Sequence, residues 1–284
     1  MRKVYGVPGG EVLELDYPAV ADYLTRFLEA ELAWRGYQKA LVAVSGGVDS
    51  ATTLALAARA LGPENVHALA LPHAESASES LEHARMAAEA FGVDLEVIDI
   101  TPMVEGYAGV RPDLTPYRKG NVKARARMIV LFDLSMAYRA LPLGTGNKTE
   151  RLFGYFTWHG DDAPPINPLG DLYKTQVWGL AEELGVPEAI RKKPPTADLV
   201  PGQTDEADLG LSYRRADVIL EHYLKGYPDA YIEALGYRPE EIRRVKELVN
   251  RTHFKRHLPT VAVVSTTAIH EFYLRPLDFR IELP

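Results

Sequence analysis

Cysteine is absent from the 284-residue chain, and asparagine and glutamine are scarce, at five and three positions. Without thiols there is no disulfide framework, no thiolate metal site, no cysteine nucleophile and no persulfide carrier, so any chemistry must use oxygen, nitrogen or a cofactor. The shortage of Asn and Gln beside 20 prolines leans towards a heat-adapted source. Long apolar runs are missing too: the longest uncharged one, Leu258 to Ile269, falls far short of the roughly 20 residues of a membrane span. The N-terminus, Met1-Arg2-Lys3 followed by Val4-Tyr5-Gly6-Val7-Pro8, has no apolar core of signal-peptide length. Nor is there a basic excess. With 32 Lys plus Arg against 39 Asp plus Glu, the formal charge of −7 argues against a nucleic-acid-coating surface but leaves room for a local cationic site. What is there, 46% apolar residues in a length suited to one large domain or two small ones, reads as a soluble cytoplasmic protein with a proper core.

Pro18 opens a stretch in which Val20, Tyr23, Leu24, Phe27, Leu28 and Leu32 recur at helical spacing, and Gly36 stops it. Lys39 to Val44 then reads as a short buried strand, Ser45-Gly46-Gly47 as a tight turn and Asp49 to Leu61 as a helix. A second strand (Asn65 to Leu71), a second helix (Glu79 to Phe91) and a third strand (Asp94 to Ile100) complete a βαβαβ alternation. Strands too apolar to face water on either side predict an α/β fold, an open parallel sheet with helices on both faces. Asn121 to Ala140 carries apolar residues nearly all round, which predicts a helix buried in the core or in a subunit interface. Leu141 to Gly146 reads as a strand end running into a loop, and Phe153 to Leu172 as an irregular loop. Lys174 to Leu184 reads as a short helix, and Lys192 to Asp208 as a polar loop. Further helices are expected near 212–225, 228–235 and 239–250, giving a helical C-terminal portion, with strands at Val261–Val264 and Phe279–Ile281. No repeat, low-complexity tract or linker divides the chain, so residues 1–284 read as a single domain.

Ser45-Gly46-Gly47-Val48-Asp49-Ser50 lies where the first strand hands over to a helix, the position at which open parallel sheets bind ligands. Two glycines permit positive φ and close backbone approach, and the helix N-terminus adds partial positive charge, so the loop suits a phosphate. It is neither a Walker loop nor a dinucleotide fingerprint, since Gly-Lys-Ser/Thr and Gly-x-Gly-x-x-Gly are absent. Asp49 beside a phosphate implies a divalent cation between the two anions, with Mg²⁺ the usual bridge. Two other readings stand beside this one. The tripeptide can be a plain turn, and Ala43-x-Ser45-x-Gly47 approximates a hydrolase nucleophile elbow, with Asp217 or Asp229 and His253, His257 or His270 as its partners.

The hexapeptide resembles the SGGxDS signature of the N-type ATP pyrophosphatases. Gly144-Thr-Gly-Asn-Lys-Thr-Glu150, Gly154-Tyr-Phe-Thr157, Asn167 to Lys174, Lys193 to Leu199 and Gln203 to Tyr213, in that order, resemble the ammonia-dependent NAD synthetases over roughly residues 15 to 260. The resemblance implies a Rossmann-like adenine nucleotide alpha hydrolase fold with no glutaminase domain, and a reaction in which Mg·ATP adenylates deamido-NAD⁺ and ammonia then displaces AMP. It implies ATP contacts at Ser45, Gly46, Gly47, Val48, Asp49, Ser50, Thr145, Lys174 and Thr196, and Mg²⁺ ligation by Asp49 and Glu150. Asp49 and Lys174 are the implied catalytic groups, and Arg125 and Lys255 the implied deamido-NAD contacts. Taken alone, Lys174 reads as a solvated helix end and Glu150 as a surface carboxylate. Relatives are homodimers with substrate across the interface.

Charge patterning bears on Arg125. Lys123 and Arg127 lie four apart on one helix face while Arg125, about 200° from Lys123, projects from another, so an apolar helix carries cations on two sides. Buried cations need anions, either a substrate group or a residue such as Asp133. The sequence also departs from the family. Trp158 stands where relatives often have Lys, and Pro165 where they have Asp, so neither of those substrate roles transfers. Trp158 either stacks on a ligand ring or packs. His253 and His257, four apart with Lys255 and Arg256 between them, read as a basic patch before a metal pair, and the acidic loop of Asp198, Asp205, Glu206 and Asp208 reads equally as a cover over ATP or as solvated loop. The competing functional readings are a non-catalytic ATP or AMP holder on the same fold, or another adenylating ammonia ligase.

Overall fold

The computed structural model describes residues 3–196 and 205–270. A short antiparallel hairpin, β1 (Lys3–Val4) and β2 (Val7–Pro8), leads into α1 (Tyr17–Trp34), where the Asp16 side chain accepts the Ala19 amide at 3.1 Å and Pro18 sits in the first turn. Four parallel strands follow: β3 (Ala40–Ala43), β4 (Val66–Ala70), β5 (Leu95–Val97) and β6 (Leu141–Leu143), in the order β5-β4-β3-β6. Ala40 pairs with Val66 on one side and with Leu141 on the other. The helices between them are α2 (Val48–Leu61), α3 (Ser78–Ala90), α4 (Thr101–Val110) and α5 (Pro116–Tyr138).

Alternation along the strands explains the layers. Ala40, Val42, Val66, Ala68 and Ala70 join one core with residues of α1, α2 and α3, while Leu41, Leu69 and Leu71 point the other way into a core with Val104 of α4 and Leu131 of α5. Both faces of the sheet are therefore covered, as the apolar strands require. After β6 come α6 (Lys148–Phe153), α7 (Lys174–Glu183), α8 (Glu188–Lys192) and α9 (Asp205–Leu209). The last helices, α10 (Tyr213–Leu224), α11 (Asp229–Ala234) and α12 (Pro239–Arg251), build a third core around Tyr213, Ile219, Ile232 and Val245, closed by Leu13 from the N-terminal segment. No described helix is long and apolar enough to cross a membrane.

Three expectations need correction. The long helix starts at Pro116, where the Thr115 hydroxyl caps the Arg118 amide, and its apolar residues are not all covered: Ile129, Phe132 and Met136 are 52%, 37% and 80% exposed. Met103, Tyr107 and Val110 of the adjoining α4, a helix not expected from the sequence, are exposed as well. Val261–Val264 forms no strand; these residues are exposed and pair with no strand among the described residues. Phe279–Ile281 lies outside the described residues.

Candidate active site

The chain passes from β3 to its neighbour β4 and later returns to β6 on the other flank of β3, so the carboxyl ends of β3 and β6 form a topological switch point. The Ser45–Ser50 loop sits there. Gly46 has φ 80°, and a Cβ on it would stand 2.1 Å from the Ser80 carbonyl oxygen, so no other residue fits the close approach of the two chain segments. Gly47 behaves otherwise. It is the N-cap of α2 with φ −94°, so the expectation of positive φ holds at the first glycine and not at the second. The Ser50 hydroxyl ties the turn, donating to the Gly47 carbonyl at 3.0 Å and accepting the Ser45 amide at 3.1 Å. The first amides of α2 have no partner inside the helix and open onto the cavity beyond, as an anion requires.

Opposite Asp49 stands the start of α6. Asn147 caps it in a reciprocal box: its Oδ1 accepts the Glu150 amide at 2.9 Å, and Glu150 Oε2 accepts the Asn147 amide at 3.3 Å. The buried Asn147 also donates from Nδ2 to Asp49 Oδ1 at 2.9 Å. Between Asp49 and Glu150 lies Lys174, the first residue of α7, whose ammonium donates to Asp49 Oδ2 and to Glu150 Oε1, the latter at 3.3 Å. At 3% exposure it is no solvated helix end. Burial works to lower its pKa, but the carboxylates of Asp49 and Glu150 outweigh that and keep it charged. Glu150 is no ordinary surface carboxylate either: burial pushes its pKa up to about 8 although Lys174 pulls the other way. A third carboxyl, Asp205, is 3% exposed; its Oδ2 accepts the Tyr213 hydroxyl at 3.0 Å and its Oδ1 has no partner among the described residues. Burial raises its pKa as well.

Three carboxyl groups face one ammonium in a low-dielectric recess, where burial works against ionising Glu150 and Asp205. The charged side chains facing Lys174 all offer carboxyl oxygens, and such a set suits a hard divalent cation. The cavity they share holds about 430 Å³. Ser45, Gly47, Val48, Asp49 and Ser50 line it, as do Thr145, Glu150, Lys174, Thr196 and Asp205, while Leu71, Met128 and Leu131 give it an apolar wall.

The cations fall differently from expectation. Arg125 is exposed and donates to the Trp158 carbonyl at 3.1 Å, with no bond to Asp133, while the buried cation of α5 is Lys123, which donates to Glu75 at 2.8 Å. Arg127 lines the cavity and donates to the Leu71 carbonyl at 3.0 Å. Lys255 does not line the cavity; its ammonium holds the carbonyls of Gly154 and Phe156 at 2.7 and 2.8 Å, and so fixes the loop leading to Thr157. Trp158 packs on His159 and edge-on against Phe254, and Pro165 is exposed.

No hydrolase triad assembles. Ser45 Oγ bonds only within its own loop, Asp217 is taken up by two threonines, Asp229 pairs with Lys246, and His253 contacts His257. The ring nitrogens of His253 and His257 lie 3.2 Å apart on the exposed turn after α12. His73, Glu75 and Glu105 also bring ligand atoms together, but Lys119 binds both carboxylates there, at 2.6 and 2.7 Å, and Lys123 holds Glu75, so the cluster is an ion-pair network joining α5 to the loop after β4.

Asn147 and Asp205 are site residues that the sequence reading did not single out as such. The Asn147-x-x-Glu150 capping signature was available as a signal for the first; for Asp205 only the fold decides between lid and solvated loop.

The sequence model of the family described as NAD synthase matches residues 20–259. The chain is 48% identical over 258 residues to an NH(3)-dependent NAD(+) synthetase of Trichlorobacter lovleyi, covering 90% of this chain and 94% of that protein. It is 44% identical to the enzyme of the same description from Chlorobaculum tepidum, covering 89% and 92%. Among solved structures, an NMN synthetase from Francisella tularensis superposes with a TM-score of 0.78 at 30% identity, covering 88% of this chain and 99% of that one. An NH3-dependent NAD synthetase from Campylobacter jejuni in complex with the nitrate ion gives 0.76 at 28%, covering 88% and 100%. A glutamine-dependent NAD+ synthetase from Acinetobacter baumannii gives 0.65 at 27%, covering 92% of this chain but 49% of that one.

Proposed function

The chain belongs to the NAD synthase family, and from that premise we propose that it is an ATP-dependent, ammonia-using ligase that amidates deamido-NAD⁺ to NAD⁺. A nicotinate carboxylate oxygen bonds to the α-phosphorus of ATP as the bond to pyrophosphate breaks, giving a NAD-adenylate. Ammonia then bonds to the acyl carbon, the bond to AMP breaks, and the ammonium nitrogen gives up a proton. The observation that carries this reading is the buried Lys174 between Asp49 and Glu150 at the phosphate end of the cavity. A protein that merely holds a nucleotide has no use for that arrangement.

No covalent nucleophile is needed. The Ser45–Ser50 loop and the start of α2 seat the phosphates through backbone amides, with Thr145 and Thr196 on the cavity wall available to ATP. Lys174 brings a fixed positive charge to the leaving pyrophosphate. Asp49 and Glu150 are the residues that would hold Mg²⁺. That ion, when bound, neutralises charge on the phosphates. Arg125, exposed beside Trp158, is the proposed contact for an anionic group of deamido-NAD⁺, and Lys255 serves that substrate by holding the Gly154–Phe156 loop.

Residues 1–284 act as one synthetase domain without a glutaminase part. The absence of cysteine supports this, since a cysteine-type glutaminase has no nucleophile here. The exposed apolar residues of α4 and α5 support a homodimer. A cytoplasmic setting fits the lack of cysteine and the substrates.

The deciding assay supplies ATP, Mg²⁺, deamido-NAD⁺ and ammonium. NAD⁺, AMP and pyrophosphate in equal amounts are expected; ADP, or no nucleotide turnover, overturns the reading. Because one structural neighbour is an NMN synthetase, nicotinate mononucleotide belongs in a parallel reaction, and faster amidation of it than of the dinucleotide would reassign the substrate.

A further inference from the structure

Asp217 lies on α10, in the third core, with 0% exposure, and it does not line the cavity. Its Oδ1 accepts the Thr149 hydroxyl at 2.6 Å. Its Oδ2 accepts both the amide and the hydroxyl of Thr175, at 2.9 and 2.8 Å. Thr149 Oγ1 in turn accepts the Lys174 amide at 3.0 Å. Thr149 immediately precedes Glu150, and Thr175 immediately follows Lys174. One carboxyl group thus grips the chain on the near side of each of the two side chains that meet at the cavity.

Such a group is costly to bury. No ion pair reaches Asp217 among the described residues, and burial without a cationic partner works against the charged form. An apolar side chain of similar size would fill the third core at lower cost. What a carboxyl group supplies and an apolar one does not is direction: three acceptor contacts fix the two chain segments to a single point. The alignment of Glu150 with Lys174 depends on that point, because the two side chains come from helices that are otherwise separate in sequence.

We propose that Asp217 is a positioning residue for the adenylation step, setting Glu150 and Lys174 through Thr149 and Thr175 without touching substrate or cation. The proposal rests on the reading of Asp49, Glu150 and Lys174 given above. It distinguishes alignment from packing by what each would change. A packing residue changes stability; a positioning residue changes the rate and the Mg²⁺ requirement of molecules that are fully folded.

The experiment compares full-length wild type with Asp217→Asn, Thr149→Val, Thr149→Ser and Lys174→Met, each assayed well below its own melting temperature. Turnover is recorded against Mg²⁺, ATP and deamido-NAD⁺ in turn. For Asp217→Asn, kcat is expected to fall about tenfold or more and half-saturating Mg²⁺ to rise several-fold. KM for deamido-NAD⁺ should stay within about twofold, since uniform binding is untouched. Thr149→Val should move the same two quantities in the same direction, and Thr149→Ser, which restores the hydroxyl, should recover most of the loss. Wild-type kcat and Mg²⁺ dependence in both Asp217→Asn and Thr149→Val, with only a lowered melting temperature, would overturn the proposal. If Asp217→Asn does not fold, the Val and Ser pair at Thr149 decides alone. Full turnover in Lys174→Met would instead strike at the site reading beneath it, so the two failures are separable.

Discussion

At the scale of single residues, the two glycines of the phosphate loop have different reasons to be there. Gly46 is held at φ 80° with the Ser80 carbonyl where a Cβ would go, whereas Gly47 at φ −94° meets only the Ser45 hydroxyl, at 3.4 Å. Gly46→Ala should therefore cost the left-handed penalty of about 1–2 kcal/mol plus the steric contact, while Gly47→Ala should unfold in urea within about 0.5 kcal/mol of wild type. Equal losses at both positions would show that the loop geometry is misread. Asp49→Asn should keep the fold, since its amide oxygen still accepts from one of the two donors, Asn147 or Lys174, yet lose most turnover; an active variant would remove Asp49 from the metal site. The hexapeptide was legible because a phosphate loop needs local residues in a fixed order. Arg125 was misjudged as a buried cation because helical spacing gives the angle of a side chain but not which neighbour covers it; Lys123, two residues earlier, is the covered one. Asp205 and Asp217 share no sequence pattern with Asp49, and only the packing of the C-terminal helices sets Asp205 on the cavity and Asp217 behind Thr149 and Thr175.

Among the elements, strands and helices that bury one regular face were readable, and the misses follow from that. The helix α4 buries Val104 alone and contains Gly106 and Gly109, so it shows no strong periodicity. Val261–Val264 has the β-branched composition of a strand but pairs with no strand among the described residues, and composition cannot supply a partner. Contacts between elements are likewise invisible in sequence, as with Arg215 of α10, which forks onto Glu241 of α12 at 2.6 and 2.7 Å. That pair holds the Glu241 carboxyl down to about 2, through its bonds to Arg215 and against the effect of burial. A carboxyl with a depressed folded-state pKa adds stability above its ordinary value of 4.5 and loses it as the pH falls towards about 2. Glu241→Gln should thus cost about 2 kcal/mol at neutral pH, with the deficit shrinking below about pH 4.5. Urea unfolding at pH 7 and pH 3.5 checks this, and a deficit that does not change with pH would mean that the pair is not ionic.

For the whole molecule, the exposed apolar residues Met103, Tyr107 and Val110 of α4 and Ile129, Phe132 and Met136 of α5 are a departure from a self-sufficient chain. The sequence predicts α5 buried in the core or in a subunit interface, and one copy of the chain leaves Ile129, Phe132 and Met136 uncovered. Met136 is 80% exposed, so Met136→Glu should leave the melting of the single chain unchanged and shift the proposed dimer to monomer by sedimentation. A variant that stays dimeric would send the interface elsewhere. The site draws on the molecule as a whole: Asp49 comes from the helix after β3, Glu150 and Lys174 from the segment after β6, and Asp205 from the start of the C-terminal helices. Lys174 gives this assembly an internal counter-ion. On the proposed function, binding of Mg·ATP would be an exchange in which the ammonium trades contacts with two carboxylates for contacts with phosphate oxygens. The measured affinity for Mg·ATP reports the difference between those two sets of contacts, and it will be weaker than a count of the second set alone would suggest.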